Sequence, residues 1–171
     1  MIHIISGDGK GKTSAAVGLA VRAAGAGLRV AFFQFLKDGS SSEIAALRPI
    51  SGIDVKCCEE CRSFLWEMDE REKEAVTESQ NSMLKEARAL IDGKAADILV
   101  LDEFFAAYNT GTLDRELAEK TVLSCPDSVE LVLTGRDPAG VFCDAADYHS
   151  NIRSVRHPYD KGISARRGIE Y

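Results

Sequence analysis

Residues 6–14, "SGDGKGKTS", put glycines, lysines and hydroxyls into one short stretch, and these are the residue types that hold phosphate groups. Gly7, Gly9 and Gly11 let the backbone curl so that successive N–H groups face phosphate oxygens, and a helix starting just after adds partial positive charge at its N-terminus. Lys12 is placed to reach phosphate oxygens and the Thr13 hydroxyl to ligate Mg²⁺. The stretch departs from the P-loop pattern only at its entry, where Ser6 stands for glycine, and it carries an extra lysine, Lys10. The alternative is a glycine-rich turn without a ligand. A second set lies far along the chain. "ILVLDEF" puts Asp102 and Glu103 at the carboxyl end of an apolar run, where an open α/β sheet binds its ligand. Asp102 is the better Mg²⁺ partner, opposite the Thr13 hydroxyl. Glu103 either orients a water or completes the Mg²⁺ shell. "TGRD" brings Arg136 to the same edge, as a phosphate clamp or as a surface ion-pair partner.

The elements that must position these groups alternate strand and helix. Ile2–Ile5 reads as a short buried strand ahead of the glycine loop, and Ser14–Ala26, rich in Ala and Leu, as a helix able to lie close to a sheet. Leu28–Phe35 is a second strand, "KDGSSSE" a polar loop, and Ile53–Cys57 a third strand after a turn at Pro49–Gly52. Asp69–Asp92 carries Val76, Met83, Leu84, Ala87, Leu90 and Ile91 at three- and four-residue spacing, the pattern of a long amphipathic helix. Ala96–Leu101 is apolar throughout, as in a strand covered on both faces. Leu113–Leu123 reads as a helix stopped before Pro126, "VELVLTG" as another buried strand, "PAGVFCDAA" as a short helix starting at Pro138, and Ile152–Arg156 as a last strand.

With 171 residues, 45% hydrophobic and 28% charged, the chain has the composition of one globular domain spanning 1–171. A net charge of −6 speaks against general nucleic-acid binding. No run approaches the ~18 apolar residues that span a bilayer, so no membrane partner is expected. The opening "MIHII" has neither a basic n-region nor a cleavage site, which makes a cytoplasmic location the expectation. Five cysteines are odd in number for a disulfide framework, and in "CCEEC" one CxxC pair plus a neighbour falls short of the two pairs, or the pair plus histidines, of a closed zinc site. Packed thiols are the simpler reading of Cys57, Cys58 and Cys61, a metal site the other.

The sequence resembles the P-loop type of ATP:corrinoid adenosyltransferase. The resemblance is carried by "SGDGKGKTSAAVGLAVRAAG", by "QFLKDG" followed by Glu43, by "RSFLWE", "ILVLDE" and "LVLTGRD", and by the closing "HPYDKGISARRGIEY". Members begin the loop with Ser or Thr and usually have Asn where Asp8 stands, a change that adds negative charge near phosphate. The likeness implies a RecA-like P-loop fold, a mainly parallel sheet with helices on both faces. It also implies a transferase that moves the 5′-adenosyl group of ATP to the Co(I) of a corrinoid, cobalamin or an a,c-diamide precursor, with release of triphosphate. By the same likeness Gly7, Asp8, Gly9, Lys10, Gly11, Lys12, Thr13 and Ser14 bind the nucleotide, which lies reversed in the loop, and Thr13, Asp102 and Glu103 hold Mg²⁺. Lys12, Glu103, Phe64, Trp66 and Arg136 are the catalytic set, with Arg136 on a phosphate or a corrin side chain. A flavoprotein reductase supplies the electron, and the enzyme is a homodimer.

Phe64 and Trp66 match the family's aromatic pair. Bulky rings fill the axial space of a corrinoid without offering a lone pair, which eases reduction of Co(II) to Co(I). A local hydrophobic cluster pinning a loop is the alternative for both. Arg153, Arg156, Lys161, Arg166 and Arg167 make a basic tail, facing triphosphate or the corrin periphery, or else simply solvated. The chain departs from longer members in lacking a basic helical N-terminal extension. Two rival classes stay open on the sequence: a small P-loop ATPase or kinase that makes ADP without any corrinoid, and a regulatory module that binds ATP without turnover.

Overall fold

The computed structural model describes residues 1–170. Its centre is one sheet of six parallel strands: β1 (Ile2–Ser6), β2 (Val30–Gln34), β3 (Ile53–Cys57), β4 (Ile98–Asp102), β5 (Glu130–Gly135) and β6 (Tyr148–Asn151), in the spatial order β3-β2-β4-β5-β1-β6. Parallel neighbours require crossovers, and these are built from α1 (Lys12–Gly25), α2 (Ser42–Leu47), α3 (Glu70–Asp92), α4 (Phe104–Asn109), α5 (Arg115–Leu123) and α6 (Gly140–Ala145).

Each face of the sheet has its own core, as expected of a sheet covered on both sides. On one face Ala16, Ala20 and Ala23 of α1 and Ile44 and Leu47 of α2 cover Val30, Phe32, Ile98, Val100 and Val132. The small side chains bring α1 close to the sheet. On the other face Val76, Met83, Leu84, Ala87 and Ile91 of α3, with α4, α5 and Phe142 of α6, cover Ala31, Phe33, Leu99, Leu101, Leu131 and Leu133. The α3 N-terminus is set by a capping box: Asp69 accepts the Glu72 N–H at 2.9 Å and the Glu72 side chain accepts the Asp69 N–H at 2.9 Å.

Strand period decides where the polar residues go. Val30 and Phe32 face α1, so Gln34 does too; the same alternation carries Ile98 and Val100 to Asp102, and Val132 to Thr134. Gln34 and Asp102 are register partners. As each apolar strand ends, its last residue on the α1 face is polar, and together they form a row at the carboxyl edge of the sheet.

Several boundaries differ from those read in the sequence. Helix α1 begins at Lys12 rather than Ser14, and the last two residues of the expected polar loop, Ser42 and Glu43, open helix α2. Helix α4, directly after β4, was not anticipated. Helix α6 starts at Gly140 and not at Pro138, because Asp137 is left-handed and Ala139 is extended. The last strand is Tyr148–Asn151, not Ile152–Arg156: its residues are all exposed, so no apolar run marks it, and the chain beyond Asn151 leaves the sheet to cross the glycine loop. Among the described residues no helix is long and apolar enough to cross a membrane.

Candidate active site

The glycine loop links β1 to α1, and Lys10, Gly11, Lys12, Thr13 and Ser14 line a cleft of about 420 Å³ together with Lys37, Glu43 and Glu103. Gly11, at φ 118°, turns the chain into α1, whose first amides have no partner within the helix and belong to residues that line the cleft. Beneath the loop lies the polar row. Asp102 is 0% exposed, yet both its oxygens are satisfied: Thr134 donates to Oδ1 at 2.7 Å, while Thr13 at 3.3 Å and Gln34 at 3.1 Å donate to Oδ2. The Lys37 ammonium stands 3.7 Å from Oδ2.

Glu103 follows in the left-handed region at φ 58°, rare for a residue with a side chain. Its N–H is held by Thr134 Oγ1 at 2.9 Å, and its side chain lines the cleft. Burial, reinforced by the charge of Asp102, pushes the Glu103 carboxyl above the ordinary glutamate value, against the pull of Lys37, Lys12 and Arg136. Burial also lowers the Lys12 ammonium, which Glu103 and Asp102 oppose. Lys12 donates to the Gly9 carbonyl at 3.0 Å, folded back over its own loop. Arg136 is exposed just beyond β5 and joins no ion pair among the described residues. Its charge still reaches Lys12 and Glu103.

The glycine loop is strapped from the far end of the chain. Gly9 N–H, expected to face phosphate, donates instead to the Ile152 carbonyl at 2.8 Å, and Ile152 N–H donates to Ser6 at 2.8 Å. A Cβ on Gly7 would collide with the Ile152 backbone, and one on Gly9 would lie 2.7 Å from the Arg153 carbonyl carbon. These two glycines are therefore required by the strap as well as by the loop's curl. Asp8 is exposed and accepts the Ser154 N–H at 3.1 Å, a bond that holds its carboxyl below the usual aspartate range, while its charge still reaches Lys12. Ser6, in place of the entry glycine, is buried and bonds His149 of β6 at 2.8 Å. Further on, Gly168, Ile169 and Glu170 line the same cleft as Lys10–Ser14.

Phe64 precedes and Trp66 sits within a short 3-10 helix at Leu65–Glu67, and the two rings stack on each other, centroids 4.4 Å apart and planes 8° from parallel. They are 60% and 77% exposed, so they are not a cluster buried under a loop. Phe64 lines a second cleft of about 360 Å³ with Leu36, Lys37, Ser41 and Cys61, and Lys37 is common to both clefts. Cys58 and Cys61 are buried in the core beside it and, like Cys57, are free. Among the described residues no three His, Cys, Asp or Glu side chains converge as a metal cage.

The structure brings Thr13, Lys12, Asp102 and Glu103 together around the loop and sets Phe64 and Trp66 beside the neighbouring cleft. Sequence reading missed the roles of Gln34, Lys37 and Thr134. The signal was present in "VAFFQF" and "LVLTG", where one polar residue closes an apolar strand.

Residues 1–171 match the family model described as ATP:corrinoid adenosyltransferase BtuR/CobO/CobP. The corrinoid adenosyltransferase CobA of Salmonella typhimurium is 31% identical over 173 aligned residues, covering all of this chain and 85% of that protein. The corrinoid adenosyltransferases of Escherichia coli and Pseudomonas aeruginosa are each 30% identical, with all of this chain and 85% and 82% of theirs covered. Among solved structures, a KaiC-like protein from Pyrococcus horikoshii matches with a TM-score of 0.56 at 15% identity, over 89% of this chain and 70% of that one. That likeness bears on the fold, which is the RecA-type P-loop architecture. With a family match over its whole length and relatives of this similarity, the chain belongs to the ATP:corrinoid adenosyltransferases, a family of transferases.

Proposed function

We propose that this chain transfers the 5′-adenosyl group of ATP to the Co(I) of a corrinoid and releases inorganic triphosphate. The observation that carries the reading is the shared wall of the two clefts: Lys37 lines both, so an exposed aromatic stack adjoins a phosphate site. The names of the full-length relatives support the same substrate pair.

In this reading the cobalt lone pair attacks C5′ of the nucleotide. A Co–C bond forms, the C5′–O bond breaks, and its electron pair leaves with triphosphate. Lys12, Lys10 and the amides at the α1 N-terminus hold the phosphate chain, so that C5′ is presented in line to the cobalt, a positioning effect that can reach several kcal/mol. Lys12 exchanges the Gly9 carbonyl for a phosphate oxygen, and Arg136 adds charge from the β5 edge. Thr13, Asp102 and Glu103 offer the hard oxygen donors that suit Mg²⁺, which retains waters and binds few protein groups besides substrate phosphates. When bound, that ion neutralises charge on the departing triphosphate.

Phe64 and Trp66 fill the axial face of the corrinoid without offering a lone pair. They leave cobalt four-coordinate, and so easier for a flavoprotein reductase to bring from Co(II) to Co(I). A cytoplasmic homodimer, each chain a single domain, completes the reading. The test is anaerobic incubation of the protein with ATP and Mg²⁺, with and without chemically reduced cobalamin. Triphosphate appearing only with the corrinoid supports it; steady orthophosphate release without corrinoid would show an ATPase instead.

A further inference from the structure

Gln34 is the one member of the polar row whose bonding is incomplete. It is 0% exposed, and its Nε2 is shared between Asp102 Oδ2 at 3.1 Å and Glu43 Oε1 at 3.2 Å. Both partners are carboxylate oxygens, which only accept, so the amide cannot be flipped: nitrogen faces the acids and oxygen faces away. The Oε1 atom is then left buried with no donor among the described residues. A buried carbonyl without a donor costs roughly as much as a lost hydrogen bond, and an apolar side chain at the end of β2 would avoid that cost.

The neighbours say what the cost is for. Gln34 is the register partner of Asp102, and Asp102 takes the Thr13 hydroxyl at 3.3 Å. Glu43, from the first turn of α2, lines the phosphate cleft with Thr13 and Glu103. One amide therefore fixes two carboxylates that come from different elements and face the same cleft. Groups that orient metal ligands in this way are ordinarily needed for full affinity, and a cation that retains its waters offers donors at distances a direct ligand could not span.

We propose that Gln34 is a positioning residue of the cation–triphosphate site: its amide nitrogen orients Asp102 and Glu43 together, at the cost of a carbonyl oxygen left buried without a donor. Glu43 is the outer arm of the same device. It faces the cation through water, which adds a third carboxylate to Asp102 and Glu103 without a third direct ligand. This inference rests on the nucleotide reading given above for the P-loop cleft.

The test uses Mn²⁺ as probe, titrated by EPR into the whole protein with ATP present, alongside ATP binding measured without divalent cation. Gln34→Met preserves length and removes both hydrogen-bonding functions. It is expected to weaken Mn²⁺ affinity in the ATP complex about tenfold or more, to leave cation-free ATP binding within about twofold of wild type, and to raise the Mg²⁺ concentration needed for half-maximal turnover. Glu43→Gln, at a half-buried position that should fold regardless, is expected to weaken Mn²⁺ by a smaller factor in the same direction. Equal losses with and without cation, or unchanged Mn²⁺ affinity in either variant while the wild type binds Mn²⁺ and ATP together, would overturn the inference and leave the nucleotide site standing. A wild-type protein that holds Mn²⁺ no better than free ATP does would overturn both.

Discussion

Thr134 donates its hydroxyl proton to Asp102 Oδ1 at 2.7 Å and accepts the N–H of Glu103 at 2.9 Å. One side chain on β5 thus fixes both acids at the end of β4, the carboxylate of one and the left-handed backbone of the other. Thr134→Val keeps the shape and removes both functions, leaving a buried carboxylate oxygen and a buried N–H without partners. Urea unfolding should show a loss of about 1–3 kcal/mol, and turnover should fall more than apparent ATP affinity. Thr134→Ser, which retains the hydroxyl, should recover most of both.

Glu103 carries a cost in the folded chain. Its pKa is raised above the ordinary 4.5, chiefly by burial. As pH climbs through that ordinary value the unfolded chain gives up its proton first, so stability falls until the folded-state pKa is passed and is then level. Glu103→Gln removes the titration. Thermal melts should show it more stable than wild type at pH 7, with a flatter decline above pH 4.5, while its Mg²⁺-dependent turnover is lost. A variant less stable at pH 7 would mean that its attraction to Lys37, Lys12 and Arg136 outweighs desolvation.

Asp8 ties residue 154 to the glycine loop. Asp8→Ala should loosen the strap, seen as faster tryptic cleavage after Arg153 and Arg156, together with weaker ATP binding. Asp8→Asn keeps a side-chain acceptor and should behave close to wild type. Equal cleavage rates in Asp8→Ala and wild type would show that the Gly9–Ile152 and Ser6–Ile152 bonds hold the strap unaided.

The alternation of apolar runs, the glycine loop and the acids after "ILVL" were legible because each is local: strand period, turn chemistry and strand end are written in a few adjacent residues. Gln34 and Thr134 are written the same way, as polar residues closing apolar strands. What makes them matter is that β2 and β5 flank β4, and strand order is not local. The strap was illegible for the same reason. Gly7 and Gly9 read as a phosphate loop from their own neighbours, while the backbone of Ile152 and Arg153 that forbids a Cβ there comes from the other end of the chain. Strand β6 lacked even a local signal, since an edge strand exposed along its length needs no apolar residues.

Phe64 and Trp66 stack in the open, so they hold little of the fold. Replacing either by Ala should shift stability by no more than the ~0.5–1.5 kcal/mol of an aromatic pair. The effect should fall on reduction: activity with a weak physiological reductant should drop further than activity with preformed Co(I). Trp66→His, which offers a nitrogen donor, should show five-coordinate Co(II) by EPR with ATP bound, where the wild type shows the four-coordinate form. Identical spectra would assign the pair a structural role.

The central claim is that the carbon attached to the departing triphosphate ends on cobalt. It is tested most directly by one turnover of the protein with ATP labelled with ¹³C at C5′, Mg²⁺ and an equimolar Co(I) corrinoid, followed by ¹³C and ³¹P NMR. The account predicts the label in a cobalt-bound methylene, with one triphosphate formed per adenosyl group transferred. Label retained in ADP, with orthophosphate or a phosphorylated acceptor as the partner product, would contradict it.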